Sequence, residues 1–124
     1  PVLNPDPHNA ARRFPALKNY LTSLERLRTL APTLIHTSHG EVVTDYEEYL
    51  ARLRRHTYER QHKVLGLIPQ DGITAHELAN VLFPMVKDIT RFLAVSEAAA
   101  HLDLAAAEEK LRVENRGGVD VFFR

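Results

Sequence analysis

The sequence predicts a mainly helical fold with a small β component at its C-terminal end. Apolar residues recur every three or four positions over residues 14–30 and again over residues 44–68, the spacing of a helix that buries one face. Residues 111–115 and 119–124 instead alternate between polar and apolar side chains, with a Gly-Gly pair between them. This pattern predicts a β-hairpin.

The first predicted helix, residues 14–30, carries one apolar stripe. Pro15 is tolerated near its start, and an Ala-Pro pair follows its end. The stripe consists of Leu17, Tyr20, Leu21, Leu24, Leu27 and Leu30. Residues 1–13, which are rich in proline, are predicted to be irregular. Residues 33–36, "TLIH", are predicted to form a short strand that leads into a loop.

The second predicted helix is longer and begins near residue 44. Thr44 or Asp45 is a suitable N-cap, because a side-chain oxygen there accepts a hydrogen bond from a free N–H of the first turn. Glu47 and Glu48 suit the positive end of the helix dipole. The apolar side chains that predict its packed face are Tyr46, Tyr49, Leu50, Leu53, Val64 and Leu65.

The remaining elements predict a winged helix, which consists of three helices followed by a β-hairpin. Thr74 and Glu77 form a capping box, so a short helix is expected to start there and to end at Pro84. An alanine-rich helix over residues 92–111 follows, and then the hairpin. Together with the long helix, these elements have the order of a winged helix.

Composition narrows the classes of protein. The 124 residues suffice for one domain or a small domain with part of another, and 44% apolar residues predict an ordered core. Sixteen basic and sixteen acidic residues cancel, so net charge gives no argument for nucleic acid or an anionic membrane. The lack of cysteine excludes disulfides and fits a reducing compartment, and no apolar run approaches the ~18 residues needed to span a bilayer, so we expect a cytoplasmic protein with no membrane partner. A start at Pro1 suggests a piece of a longer protein.

Two histidines, His36 and His39, lie in the segment "TLIHTSHGEVV". An imidazole at the end of a strand is a common metal ligand. The same pattern also occurs in an ordinary turn, where both histidines are polar surface residues, and the residues alone leave both interpretations open. Elsewhere, we expect His101 to pack inside the C-terminal part of the chain and His76 to be exposed.

Four motifs occur in the order "YLTSLERL", "TLIHTSHG", "ITAHELANVLFP" and "AHLDLAAAEEKLRVE". That order resembles the C-terminal part of a metallo-β-lactamase-fold hydrolase with an appended winged helix, as in the β-lactamase-like-2 and glyoxalase-II-like hydrolases. In that family the first motif is a helix of the αββα sandwich, and the next strand leads to a loop whose histidine is the last metal ligand. The resemblance covers nearly the whole chain and assigns that role to His39.

The resemblance implies a site with two zinc ions in the intact parent protein, to which His39 contributes one ligand. The other ligands of the family, which include an H-x-H-x-D-H motif, are expected upstream of residue 1. Because zinc needs three or four protein ligands, we expect the isolated chain to bind no zinc and to be inactive. Three residues depart from the family pattern: Thr37-Ser38 replaces Pro-Gly before the histidine, and Glu109 replaces a glycine that often follows the last helix.

Basic side chains cluster on the long helix and recur in the hairpin. They form either a solvated face or a surface that contacts the phosphates of nucleic acid. The residues concerned are Arg52, Arg54, Arg55, Arg60 and Lys63 on the helix and Arg112, Arg116 and Arg124 in or beside the hairpin. Acidic side chains at Asp103, Glu108 and Glu109 argue against recognition of DNA by the last helix.

Two domains and three function classes follow from these observations. Residues 1–43 are predicted to be the last helix and strand of the metallo-β-lactamase sandwich, and residues 44–124 the linking helix and winged helix.

The favoured function is that of a fragment of a zinc-dependent hydrolase, whose winged helix packs beside the rest of the sandwich and shapes substrate access. A winged helix that binds nucleic acid and a structural or homodimerisation module are the alternatives. The sequence does not distinguish among thioester, lactam, phosphodiester and RNA substrates.

Overall fold

The structure, a computed structural model, describes residues 5–6 and 8–124. Its helices are α1 (Ala16–Leu30), α2 (Tyr46–Gly66), α3 (Ala75–Leu82) and α4 (Thr90–Ala107). Its strands are β1 (Pro5–Asp6), β2 (Asn9–Arg13), β3 (Ile73–Thr74), β4 (Arg112–Arg116) and β5 (Val119–Phe123). The predicted fold class, mainly α with a small β component, is confirmed.

The prediction of irregular chain over residues 1–13 is wrong where the segment is described, and residues 1–4 and 7 lie outside the described residues. Strands β1 and β2 pair in antiparallel fashion. The end of β2 is fixed by Arg13, whose guanidinium donates to Asp103 of α4 at 2.7 Å and to Asp120 of β5 at 2.8 Å. These long-range ion pairs connect the segment to α4 and β5, and its own sequence does not indicate them.

Helix α1 packs against α2 and α4 through part of its apolar stripe. Leu21 and Leu24 are buried together with Leu50 of α2 and Leu104 of α4. The end of the stripe is not covered, since Leu30 remains 74% exposed. The described residues therefore leave an apolar part of α1 facing outward.

The predicted strand at residues 33–36 is wrong. In this segment the structure has only an isolated antiparallel bridge between Ile35 and Val43, with N–O distances of 3.0 and 2.9 Å. Residues 36–42 therefore form a loop closed at its base. A longer strand requires a neighbouring strand to pair with its backbone groups, and no such neighbour occurs beside 33–36 among the described residues.

Helix α2 begins as its sequence predicts. The Asp45 side chain caps the helix by accepting a hydrogen bond from the backbone N–H of Glu48 at 3.1 Å. Its first half packs on α1 through Leu50, and Val64 of its second half is fully buried in a second cluster with residues of α3, α4 and β5. One helix thus joins both hydrophobic clusters of the chain.

The C-terminal half places three helices and a small sheet around this second cluster. The capping box predicted for Thr74 and Glu77 is confirmed at the start of α3. The predicted hairpin is also confirmed, with β4 and β5 antiparallel and β3 on the other side of β5. Leu78, Leu102 and Phe122 are almost completely buried between these elements.

Helix α4 ends with a left-handed residue that is not glycine. The φ of Glu109 is +57°, and the N–H groups of Glu109 and Lys110 donate to Ala106 O and Ala105 O, which is the hydrogen-bonding pattern of a Schellman motif. This is the position at which the family resemblance expected glycine. A side chain with a Cβ is strained in this conformation.

We therefore expect Glu109→Gly to stabilise the chain by about 0.5–1 kcal/mol, since it relieves this strain at a modest cost in unfolded-state entropy. Urea denaturation of the two proteins measures the difference. Glu109→Ala is the matched control, because it removes the carboxylate but keeps the Cβ. An equal gain from both variants would mean that charge, rather than backbone strain, governs this position.

Candidate functional site

The loop that contains His39 is short and internally bonded. The Ile35–Val43 bridge closes its base, and the Thr37 hydroxyl donates to Glu41 O at 3.2 Å. Gly40 has a φ of +109°, a backbone conformation that side-chain-bearing residues rarely adopt. The glycine after the histidine thus allows the sharp turn that presents His39 at the protein surface.

An open groove of about 560 Å³ lies between this loop and the start of α2. The exposed imidazole of His39 lines it. Its other lining residues include Asp45, Glu48, Tyr49 and Arg52. The groove therefore brings the candidate metal ligand predicted from the sequence next to polar and aromatic side chains of α2.

Two of the three carboxylates that line this groove have partners within the chain, and Glu41 is the third. Asp45 caps α2, and Glu48 forms an ion pair with Arg55 at 3.3 Å. No group of three or more histidine, aspartate or glutamate side chains within residues 5–6 and 8–124 is arranged to hold a metal ion. Within the described residues the groove thus offers His39 as a candidate ligand but no complete metal site.

His36 differs from His39 in its surroundings, although both side chains are exposed. It follows Ile35 at the base of the loop and does not line the groove. Of the two histidines, the structure thus places only His39 at the groove.

The basic residues of α2 are partly neutralised by their neighbours. Arg60 pairs with Glu97 at 3.0 Å, as Arg55 does with Glu48. Arg52 and Arg54 lie over the rings of Tyr49 and Tyr58, each with its Cζ 5.4 Å from the ring centroid. These contacts support the interpretation of a solvated helix face over that of a free phosphate-binding surface.

The arginines of the hairpin are held in the same way. Arg112 and Arg116 both form ion pairs with Glu114, and their guanidinium groups lie over the ring of Phe123. Hydrogen bonding to Arg116, together with the charges of both arginines, lowers the pKa of the Glu114 carboxyl. Arg124 donates to Leu65 O. The hairpin therefore presents mixed charge.

A buried polar contact connects α2 and α4. His101 and Gln61 are 3% and 1% exposed, and the His101 Nδ1 lies 2.7 Å from Gln61 Oε1. Because an amide oxygen only accepts, Nδ1 carries the proton in this contact. Gln61 Nε2 also donates to His101 O at 3.1 Å. The packing role predicted for His101 is confirmed, as is the exposure of His76.

Burial is the main cause of a strongly altered pKa at His101. It lowers the pKa of the imidazole from the usual 6.5 to about 4, and the nearby charges of Arg60 and His56 act in the same direction. The ring is therefore neutral at pH 7, and its charge does not change near that pH.

The sequence interpretation did not anticipate the role of Arg13. This residue bridges two carboxylates that are 90 and 107 positions away, and it also lies over the ring of Phe122. Its hydrogen bonds to Asp103 and then to Asp120 raise the pKa of the guanidinium, despite partial burial. Asp103, which seemed an acidic feature of the last helix, is therefore neutralised, and no local pattern could have indicated this pairing.

The chain matches the C-terminal part of metallo-β-lactamase-fold proteins, which confirms the family resemblance. It is 32% identical over 111 residues to the probable metallo-hydrolase YqjP of Bacillus subtilis, an alignment that covers 90% of this chain and 34% of the relative. The chain therefore spans about one third of the length of this curated relative. No protein-family model matches the chain.

Two solved structures support the same assignment. A β-lactamase domain protein from Burkholderia ambifaria is 30% identical with a TM-score of 0.73, over 87% of this chain and 33% of that protein. The metallo-β-lactamase family protein TTHA1429 from Thermus thermophilus is 29% identical with a TM-score of 0.74, over 94% of this chain and 36% of that protein.

In the described part of this chain, every helix is too short or too polar to cross a membrane.

Proposed function

We propose that the chain is the C-terminal part of a zinc-dependent hydrolase of the metallo-β-lactamase superfamily, to which His39 supplies one metal ligand. The observation that carries this proposal is the position of His39, exposed at a groove where two of the three lining carboxylates, Asp45 and Glu48, are already paired within the chain. The similarity to a probable metallo-hydrolase over 90% of the chain supports it. We expect the full site to hold two zinc ions.

In this proposal each part of the groove has a chemical task. One ring nitrogen of His39 would hold the metal, and the turn at Gly40 holds the imidazole outward. A metal held there would supply Lewis acidity that lowers the pKa of water toward 7. Tyr49 and Arg52 form the α2 side of the groove, where the guanidinium, ordered by its contact with the tyrosine ring, orients polar groups of a substrate.

We further propose that α2 to β5 form a winged helix that packs beside the catalytic sandwich and shapes substrate access. The order of helices and strands from α2 onward and the sheet order β3-β5-β4 support this assignment. The uncovered side chains Leu27, Leu30 and Leu34, which are 39%, 74% and 44% exposed, suit a surface of residues 1–43 that packs against the remainder of the sandwich.

Binding of nucleic acid remains a weaker alternative. It would use Arg52, Arg54 and Arg55 of α2 with Arg112 and Arg116 of the hairpin. All five lie in ion pairs or over aromatic rings, and the charges of Arg55, Arg112 and Arg116 are offset by a paired glutamate. Affinity for RNA or DNA that falls steeply with salt would favour this alternative.

The ligand count predicts how the isolated chain responds to zinc. With one credible ligand against the three or four that zinc requires, we expect only weak binding, which dialysis against a chelator removes. Elemental analysis after dialysis, with the full-length protein as a matched control, measures this. One tightly held ion per isolated chain would contradict the proposal and would assign His36 and His39 to a local site.

A further inference from the structure

The connection between α3 and α4 carries a concentration of exposed apolar side chains. Met85 and Ile89 are 84% and 88% exposed, the highest values among the large apolar residues of the described chain. Three neighbours share this property, and we call the five residues the α3–α4 patch: Val81, Met85, Ile89, Phe92 and Leu93. Clustered exposure of this kind marks an interaction surface more often than scattered apolar residues do.

Hydrogen bonds hold this connection in one conformation. The Arg91 guanidinium donates to Val86 O at 3.3 Å and to Phe83 O at 3.5 Å, so it fastens the connection to the start of α4. The Thr90 hydroxyl donates to Lys87 O at 2.6 Å. A surface that is ordered before binding loses little conformational entropy when it binds.

The shape of the patch favours a macromolecular partner over a small molecule. None of the four main cavities of the described chain is lined by a residue of the patch. Ligands of small size bind in concave sites that enclose most of their surface. An exposed apolar surface outside these cavities instead suits another protein surface.

Two charges in the middle of the patch indicate which protein surface this is. Lys87 and Asp88 are adjacent and exposed, and neither forms an ion pair within residues 5–6 and 8–124. In a two-fold symmetric dimer the same patch faces itself. Lys87 of one copy can then lie opposite Asp88 of the other, and the reverse pair forms by symmetry.

From this self-complementary arrangement we propose that the α3–α4 patch is the interface of a two-fold symmetric homodimer. The apolar residues are buried against their equivalents, and the Lys87–Asp88 pairs set the orientation of the two copies. This inference does not rest on the proposed hydrolase function, since it uses only the exposure and charge of residues 81–93.

Analytical ultracentrifugation of the chain at roughly 100 µM, a concentration that populates even modest interfaces, tests the dimer. We expect a mass twice the 14.1 kDa of one chain. Ile89→Glu should raise the dissociation constant by at least ~30-fold, the effect of losing a central interface residue. Leu30→Glu, at an apolar residue that is 74% exposed on α1, is the matched control and should leave it unchanged.

Charge variants test the two-fold symmetry itself. Lys87→Glu alone and Asp88→Lys alone should each weaken the dimer, because both symmetric pairs become like-charged. An equimolar mixture of the two variants should form a heterodimer, in which both pairs are again of opposite charge. Three results would each overturn the proposal: a monomeric wild-type chain, dissociation by Leu30→Glu instead of Ile89→Glu, or a mixture that stays monomeric.

Discussion

His39→Ala in the full-length protein is expected to lower kcat/KM for hydrolysis by at least ~100-fold, since even the loss of a group that only supports a metal ligand costs 10–100-fold. Removal of the imidazole takes away one ligand, which weakens metal binding and leaves less hydroxide at pH 7. Because His39 is exposed in a loop, its replacement should change the unfolding free energy by no more than ~0.5 kcal/mol.

Steady-state kinetics and a urea melt of the same preparation separate these two effects. His36→Ala is the matched control, because it removes an equally exposed histidine three residues away that does not line the groove. We expect it to retain nearly full activity. Full activity and metal content in His39→Ala would show that the family role has been assigned to the wrong residue.

The largest effect on stability is expected for His101→Ala. The substitution leaves a cavity between α2 and α4 and removes the partner of the buried Gln61 amide. Large-to-small substitutions in a core and lost buried hydrogen bonds together predict a decrease of about 2–4 kcal/mol in the unfolding free energy. For a chain of this size that corresponds to a decrease of roughly 10 °C in Tm.

Calorimetry measures this change, with His76→Ala as the control at an exposed position. The pH dependence gives a second test of the same contact. An unfolded histidine takes up a proton below pH 6.5, whereas folded His101 does so only near its pKa of about 4. Its contribution to stability is therefore complete above pH 6.5 and is lost as the pH falls from 6.5 to about 4.

Replacement of His101 by a residue that does not titrate should remove that part of the pH dependence. We expect the Tm of His101→Gln to fall less than that of the wild type between pH 7 and pH 4.5. Equal decreases in both proteins would place the acid sensitivity in other groups.

Local sequence signals predicted the helices and the hairpin well. The Asp45 cap, the Thr74–Glu77 capping box and the Gly-Gly turn act over a few residues, so the chain segment contains all the information needed. Apolar periodicity likewise identified the packed residues Leu21 and Leu24 of α1 and Leu50 and Val64 of α2. These features are local, and tertiary packing only completes them.

Long-range contacts account for what the sequence did not reveal. The strand pair at residues 5–6 and 9–13 is tied to the rest of the chain by Arg13, whose acidic partners lie about a hundred positions away. The prediction of a strand at residues 33–36 was wrong for the opposite reason. The segment has a β-type composition, but no neighbouring strand of the described chain pairs with it. The same limit applies to the candidate site. The sequence and the family resemblance selected His39, and the sequence also indicated Asp45 as an N-cap, but only the structure showed that Glu48 pairs with Arg55 and that both carboxylates line the groove.

The most direct test of the central claim is a crystal structure of the zinc-loaded full-length protein, with anomalous diffraction to locate the metal. We expect a metal within about 2.0–2.1 Å of a ring nitrogen of His39, the usual zinc–histidine distance, with its other ligands from outside residues 1–124. A metal centre that receives no ligand from the loop at residues 36–42 would contradict the account.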